Sequence, residues 1–149
     1  MTISVVLDTN IFISGIFWEG NYCSQIIDAW RAGKMTLISS LEIVQELVGT
    51  LRDFKIELPE EMVEGWRTMI IENAVLVVPT EKIDIVKDDP KDNKFFEAAV
   101  AGKALYIVSQ DKKHVLKVGE YRGVKTIHPE EFVKLFATRG EPPTRDAAG

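Results

Sequence analysis

Asp8, Asp92 and Asp111 are three carboxylates whose placement could do more than cap a helix or solvate a surface. Asp8 follows Ile3–Leu7 (ISVVL), and Asp111 follows the apolar run at 105–108 (LYIV) after Ser109 and Gln110. Both runs are short and rich in β-branched residues, the pattern of strands buried on two faces in a parallel sheet. Read as parallel neighbours, the two strands deliver both aspartates to one carboxyl edge, where open α/β sheets place their ligand sites. Taken singly, either residue is equally an Asp that makes a turn or caps the next helix. Asp92 reaches the same conclusion by another route. In a helix opening at Pro90, Asp92, Phe95, Phe96 and Ala99 share one face by the i, i+3, i+4, i+7 rule. An acidic residue in a first turn complements the helix dipole, but that does not explain its place on an apolar face. A buried carboxylate needs a cation, donors or a proton.

Converging carboxylates repel one another, and a hard divalent cation with oxygen ligands is the simplest relief. Mg2+ or Mn2+ suits such a site. Zn2+ would recruit His or Cys, of which the chain has two and one. An oxygen-held Mg2+ binds phosphate oxygens and stabilises in-line displacement, which is phosphodiester or phosphoryl chemistry. A glutamate could join this set, and spacing leaves two choices. Glu42 and Glu46 are i, i+4 neighbours on a helix opening at Ser39 or Ser40. Glu42 stands at the capping-box distance from Ser39, which gives it a structural role. Glu46 lies beyond the apolar stripe, and from spacing alone reads as a solvated glutamate.

The elements that must position these groups follow from periodicity. Helices are expected over about 22–32, closed by Gly33, over about 40–51 and over about 60–72. Further strands are expected at 36–38, 74–78 and Val124–Ile127. Asp89 suits an N-cap with Pro90 at the first helical position, Gly102 the C-terminal stop of that helix, and Pro129 the start of a last helix to about Ala137. Strands alternating with helices give an α/β fold with a central, mainly parallel sheet. Residues 1–137 read as one domain, and the polar 138–149 as a disordered tail.

Composition narrows the class without naming it. The 149 residues are 46% hydrophobic and 28% charged, with net charge −5, which opposes coating of nucleic acid by bulk positive charge. It leaves room for a nuclease with a local basic rim. No run is long and apolar enough to span a bilayer, no secretory leader is visible, and the single Cys23 forms no internal disulfide. A cytoplasmic location is the natural expectation. Lys112, Lys113, His114 and Lys117 beyond Asp111, and Lys91 and Lys94 beside Asp92, are candidates to grip phosphates, or else a solvated basic face. Lys112, directly after Asp111, is the expected substrate contact. His114 as a general base is not favoured, and His128 reads as a loop residue. Phe17, Trp18, Trp30 and Trp66 read as core rather than base-stacking.

Leu7-Asp8-Thr9-Asn10 resembles the opening motif of PIN domains. The stretch Asp89-Pro90-Lys91-Asp92-Asn93-Lys94-Phe95-Phe96-Glu97-Ala98-Ala99 is similar to the third motif of a prokaryotic branch, many of whose members are toxins of toxin–antitoxin modules. Val108-Ser109-Gln110-Asp111-Lys112 resembles the fourth, and Glu46 matches the family's second carboxylate. The likeness runs in order from Met1 to about Phe136. It implies a three-layer α/β/α sandwich, one or two Mg2+ or Mn2+ ions held by Asp8, Glu46, Asp92 and Asp111, and endonucleolytic cleavage of single-stranded RNA. It also implies that Thr9, Asn10 and Ser109 orient ligands or substrate, and it admits an antitoxin partner and a homodimer. Lys113 and His114 depart from the commoner pattern, in which a further acidic or apolar residue follows the fourth motif; this weakens the case for an additional metal ligand there. Two rivals remain: a non-catalytic RNA- or protein-binding module on the same fold, and a phosphatase or receiver-like domain. The second is opposed by Asn10, where an aspartyl-phosphate enzyme wants Asp, and by the missing acidic pair near the first strand.

Overall fold

A computed structural model of the chain describes residues 2–138. The tail expected to be disordered therefore falls, beyond Thr138, outside the described residues. Six strands form one sheet: β1 (Ile3–Leu7), β2 (Met35–Ser39), β3 (Val75–Leu76), β4 (Tyr106–Val108), β5 (Glu120–Tyr121) and β6 (Val124–Ile127). Their spatial order is β3-β2-β1-β4-β6-β5, parallel throughout except for the β5/β6 hairpin. The sheet is packed on both faces, as continuous apolar strands require. Val5 and Leu7 face a core shared with α1 (Thr9–Phe17), α2 (Tyr22–Arg31), α3 (Leu41–Asp53), α4 (Glu60–Asn73) and α7 (Pro129–Thr138). Val6 and Ile107 face the opposite way, toward α5 (Asn93–Gly102), α6 (Val115–Val118) and the segment carrying Ile83 and Val86. This is an α/β/α sandwich around a mainly parallel sheet.

The chain leaves β1 for β2 and β3 on one side, then returns to lay β4 on the other side of β1. Leu7 is opposite Val108. A crevice at the carboxyl ends of β1 and β4 is the product of that reversal. Two expectations about α5 need correction. Asp89 makes no side-chain cap, and Pro90 opens a 3₁₀ turn, Pro90–Asp92, before the α-helix begins at Asn93. Nor is Gly102 the left-handed stop, a role taken by Lys103 at φ 57°. Gly102 is instead a point of close approach, because a Cβ there would sit 2.6 Å from Ile38 Cγ2. Gly102→Ala is expected to destabilise by about 1–3 kcal/mol through overpacking. Gly49→Ala, in the same class of element but facing open space, should be neutral or stabilising by up to about 1 kcal/mol. Urea unfolding of the two variants checks the contrast. The hairpin β5/β6 and the one-turn α6 carry too few residues for periodicity to reveal, and sequence reading missed β5 and α6.

Candidate metal and nucleic-acid site

Strand β1 ends by handing its ladder to Asp8, whose N–H donates to Val108 O at 3.0 Å. The Asp8 side chain then caps α1, accepting from Asn10 N at 3.5 Å through Oδ1. Its other oxygen accepts from Ser109 Oγ at 2.7 Å, and Ser109 Oγ in turn accepts from Asp111 N at 2.9 Å. A fully buried hydroxyl therefore ties the carboxylate after β1 to the backbone after β4. Asn10 Oδ1 makes a parallel link by accepting from Gln110 N at 3.3 Å. Asp111 shapes its own turn, with Oδ1 accepting from Lys113 N and His114 N at 3.1 Å each. Its Oδ2 lies 3.2 Å from His114 Nδ1. Such side-chain-to-backbone bonds are what an Asp after a strand is suited to make.

Asp92 enters from the second core. It closes the 3₁₀ turn, and below it Phe95, Phe96 and Ala99 are completely buried. The face inferred from helical spacing is the face found, although the first turn is 3₁₀. Asn93 holds the neighbouring segment in place, its Oδ1 accepting from Ile85 N at 3.0 Å and Val86 N at 2.7 Å. Asp92 itself is only 7% exposed. Among the described residues its carboxylate has no hydrogen-bond partner.

Glu46 has no such freedom. Thr9 Oγ1 donates to Oε2, and Lys94 Nζ lies 2.6 Å from Oε1. Lys94 is only 5% exposed; its ammonium also donates to Lys91 O at 2.5 Å and lies 5.0 Å from the centre of the Phe95 ring. A buried ammonium beside carboxylates offsets part of their mutual repulsion. Sequence reading treated Lys94 as a phosphate-gripping candidate, because its partner is far away in the chain. Glu42 points away from this cleft and lines a separate one near Val77. Lys94→Met strands a partly buried carboxylate, so it is expected to cost about 2–3 kcal/mol. A double variant with Glu46→Gln should recover much of that loss in urea unfolding.

The cleft of about 630 Å³ at this edge is lined by Asp8, Thr9, Asn10, Glu46, Asp92 and Asp111, with Asp89, Lys91 and Trp18 on its walls. Ser109 lies beneath it. Lys112 is exposed and lies outside the lining; Lys91 is the lysine that enters it. Trp18 departs from the expected core role, being exposed at the rim beside Phe17 and Phe54. Trp30 is buried as expected, while Phe17 and Trp66 are half-buried. His128 has a defined role after all: its Nδ1 accepts from Glu130 N at 3.2 Å, at the start of α7.

Burial pushes the Asp8 carboxyl up to about 6, with smaller upward contributions from the charges of Glu46 and Asp111; the Ser109 and Asn10 hydrogen bonds offset part of this. Burial likewise pushes Asp92 up to about 7, helped by the charges of Asp8, Asp89 and Asp111 and opposed by Lys94. Without a counter-ion, these two carboxyls thus keep their protons to higher pH than ordinary aspartates, Asp92 further than Asp8. A buried, unpartnered Asp92 beside Asp8 and Asp111 is a donor set that fits a hard divalent cation.

Comparison with known proteins bears on the family and the fold. The family described as PIN domain matches residues 4–113. An uncharacterized protein of Methanocaldococcus jannaschii is 26% identical over 148 residues, covering 90% of this chain and 92% of its own. The fold is similar to that in VapBC2 from Rickettsia felis bound to a DNA fragment from their promoter, with TM-score 0.58 and 14% identity over 85% of this chain and 98% of the other. It is also similar to that in FitAB bound to an IR36 DNA fragment, with TM-score 0.56 and 11% identity over 84% and 94%.

Proposed function

The chain belongs to the PIN-domain family, whose members are in general nucleases, and from that premise we propose that it is a metal-dependent endoribonuclease acting on single-stranded RNA. The observation that carries this reading is the convergence of Asp8, Asp92 and Asp111 on one cleft at the β1/β4 edge, with two of the three buried. These three would hold Mg2+ or Mn2+, while Glu46 braces the cleft through Thr9 and Lys94 and faces the same space. When bound, the cation supplies Lewis-acid stabilisation of the phosphodiester and activation of water.

The chain's own residues do the positioning. Ser109 fixes the spacing of Asp8 and Asp111 by donating to one and accepting from the other's backbone. Asn10 spends its carbonyl oxygen on Gln110 and keeps its amide N–H groups as donors in the cleft lining. Lys91 offers an ammonium to a backbone phosphate. Trp18 at the rim offers a face on which an unpaired base can stack, which favours single strands over duplex. With RNA as substrate, the site of action is cytoplasmic, and no helix among the described residues is long and apolar enough to cross a membrane. The branch resemblance makes an antitoxin the partner to look for, and a small overlapping reading frame beside the gene would identify it. Incubating purified protein with single-stranded RNA in Mg2+ or Mn2+ tests the activity. Cleavage that persists in excess EDTA would sink the metal assignment. Metal binding without any cleavage would favour a binding module.

A further inference from the structure

His114, which lines a neighbouring pocket, is brought by the fold close to two carboxylates of the acidic cleft. It follows Asp111 in the turn after β4, while Asp89 and Asp92 flank Pro90 on the other wall. One donor atom from each of Asp89, Asp92 and His114 lies within 4.8 Å of the others. Three residues from two separate segments thus converge, one of them a nitrogen ligand.

Two further observations point to a ligand. Asp92 is more than nine-tenths buried, lines the cleft, and has no hydrogen-bond partner among the described residues. His114 is held by a second contact, Nδ1 lying 3.2 Å from Asp111 Oδ2; in the tautomer that donates there, Nε2 carries the free lone pair. A histidine oriented by a carboxylate on one ring nitrogen is the usual arrangement of a metal-binding imidazole. Metal–donor bonds of about 2.0–2.2 Å require donor atoms to be up to roughly 4 Å apart. Donor atoms within 4.8 Å of one another are within about 1 Å of that range.

We propose that Asp89, Asp92 and His114 form a mixed nitrogen–oxygen cation site, distinct from the all-oxygen Asp8/Asp92/Asp111 set, that takes a borderline transition metal in preference to Mg2+. It rests on reading the cleft as a metal centre and adds a ligand class to it. Imidazole suits Zn2+ and its neighbours, whereas Mg2+ is satisfied by carboxylate and water. Because Asp92 belongs to both sets, the identity of the metal in one bears on the geometry of the other.

Pulsed electron paramagnetic resonance of the full chain loaded with Mn2+ reads nitrogen ligation directly and independently of activity. The chain has only two histidines, so the assignment is clean. A nitrogen coupling is expected in the wild type and in His128→Gln, and should vanish in His114→Gln and weaken in Asp89→Asn. One equivalent of Zn2+ should remove the nitrogen-coupled signal, and about tenfold more Mg2+ should not. Bound Mn2+ without nitrogen coupling, or coupling that survives His114→Gln, would overturn the site while leaving the nuclease reading intact. No Mn2+ binding at millimolar metal would overturn both.

Discussion

Asp92→Asn is expected to lower metal-dependent RNA cleavage by about 10³-fold or more, roughly 4 kcal/mol of transition-state stabilisation, while making the metal-free protein more stable at pH 8. The two effects have one cause. At pH 8 the wild-type carboxylate is ionised, although burial and the charges of Asp8 and Asp89 push its pKa up to about 7. The amide is nearly the same shape, carries no charge and loses no hydrogen bond, because the carboxylate makes none among the described residues. Burying an unpaired amide costs about 1–3 kcal/mol, which offsets part of the gain. The net expectation at pH 8 in EDTA is a rise of about 2–5 °C in Tm, which should shrink toward zero at pH 5, where the wild-type residue is already protonated. Asp8→Asn should lose activity equally, with less gain in stability, since Asp8 also accepts from Ser109 and Asn10. Cleavage retained within tenfold in Asp92→Asn would remove that residue from the site.

Without divalent metal, the wild-type protein should be more stable at pH 5 than at pH 8. Asp8 and Asp92 ordinarily titrate near 3.8 and are raised to about 6 and about 7 by burial. Between roughly pH 4 and 7 the folded chain therefore holds protons that the unfolded chain has released. Stability then falls as pH rises through this window, by about 3 kcal/mol for Asp8 alone. Glu60 and Glu81, held below the usual carboxylate range by hydrogen bonds from Arg52 and Arg122, act in the opposite sense only below about pH 4.5. A divalent cation binds the deprotonated ligands. Adding 10 mM Mg2+ or Mn2+ should accordingly raise Tm substantially at pH 8 and little at pH 5. Thermal unfolding at the two pH values, with and without metal, measures all four numbers. Equal shifts at both would mean that the cation does not bind at these carboxylates.

Most of the fold was visible in the one-dimensional pattern because its strands are buried on both faces and its helices are amphipathic. Asp8 and Asp111 could be brought together on paper because adjacent parallel strands leave no other geometry for residues just past their ends. Asp92 was legible from its apolar neighbours at positions 95, 96 and 99. What stayed hidden was pairing across the chain. Glu46 reads as a surface residue until Lys94, which the α5 segment buries against it, is in view. Ser109 reads as a linker, yet it is the hydroxyl between two aspartates. His114 had a local signal, its i, i+3 spacing from Asp111, but Asp89 and Asp92 come from a loop whose course no periodicity encodes. Gly102 and Lys103 exchanged roles because steric pressure from Ile38, not turn geometry, decides which of them must be glycine.

The return of β4 to the far side of β1 also has a consequence in time. Asp8 and Ser109, joined by one hydrogen bond, are 101 positions apart. Translation at about 5–20 residues per second separates their synthesis by roughly 5–20 s. Throughout that interval the emerging chain holds Asp8 but lacks Asp111, while β2 and the helices around it are added one by one. The acidic cleft is thus incomplete until β4 and Asp111 have emerged, so the cleavage proposed above requires the chain to have passed that point. A binding partner that recognises the amino-terminal helices would therefore meet its target before the cleft is complete.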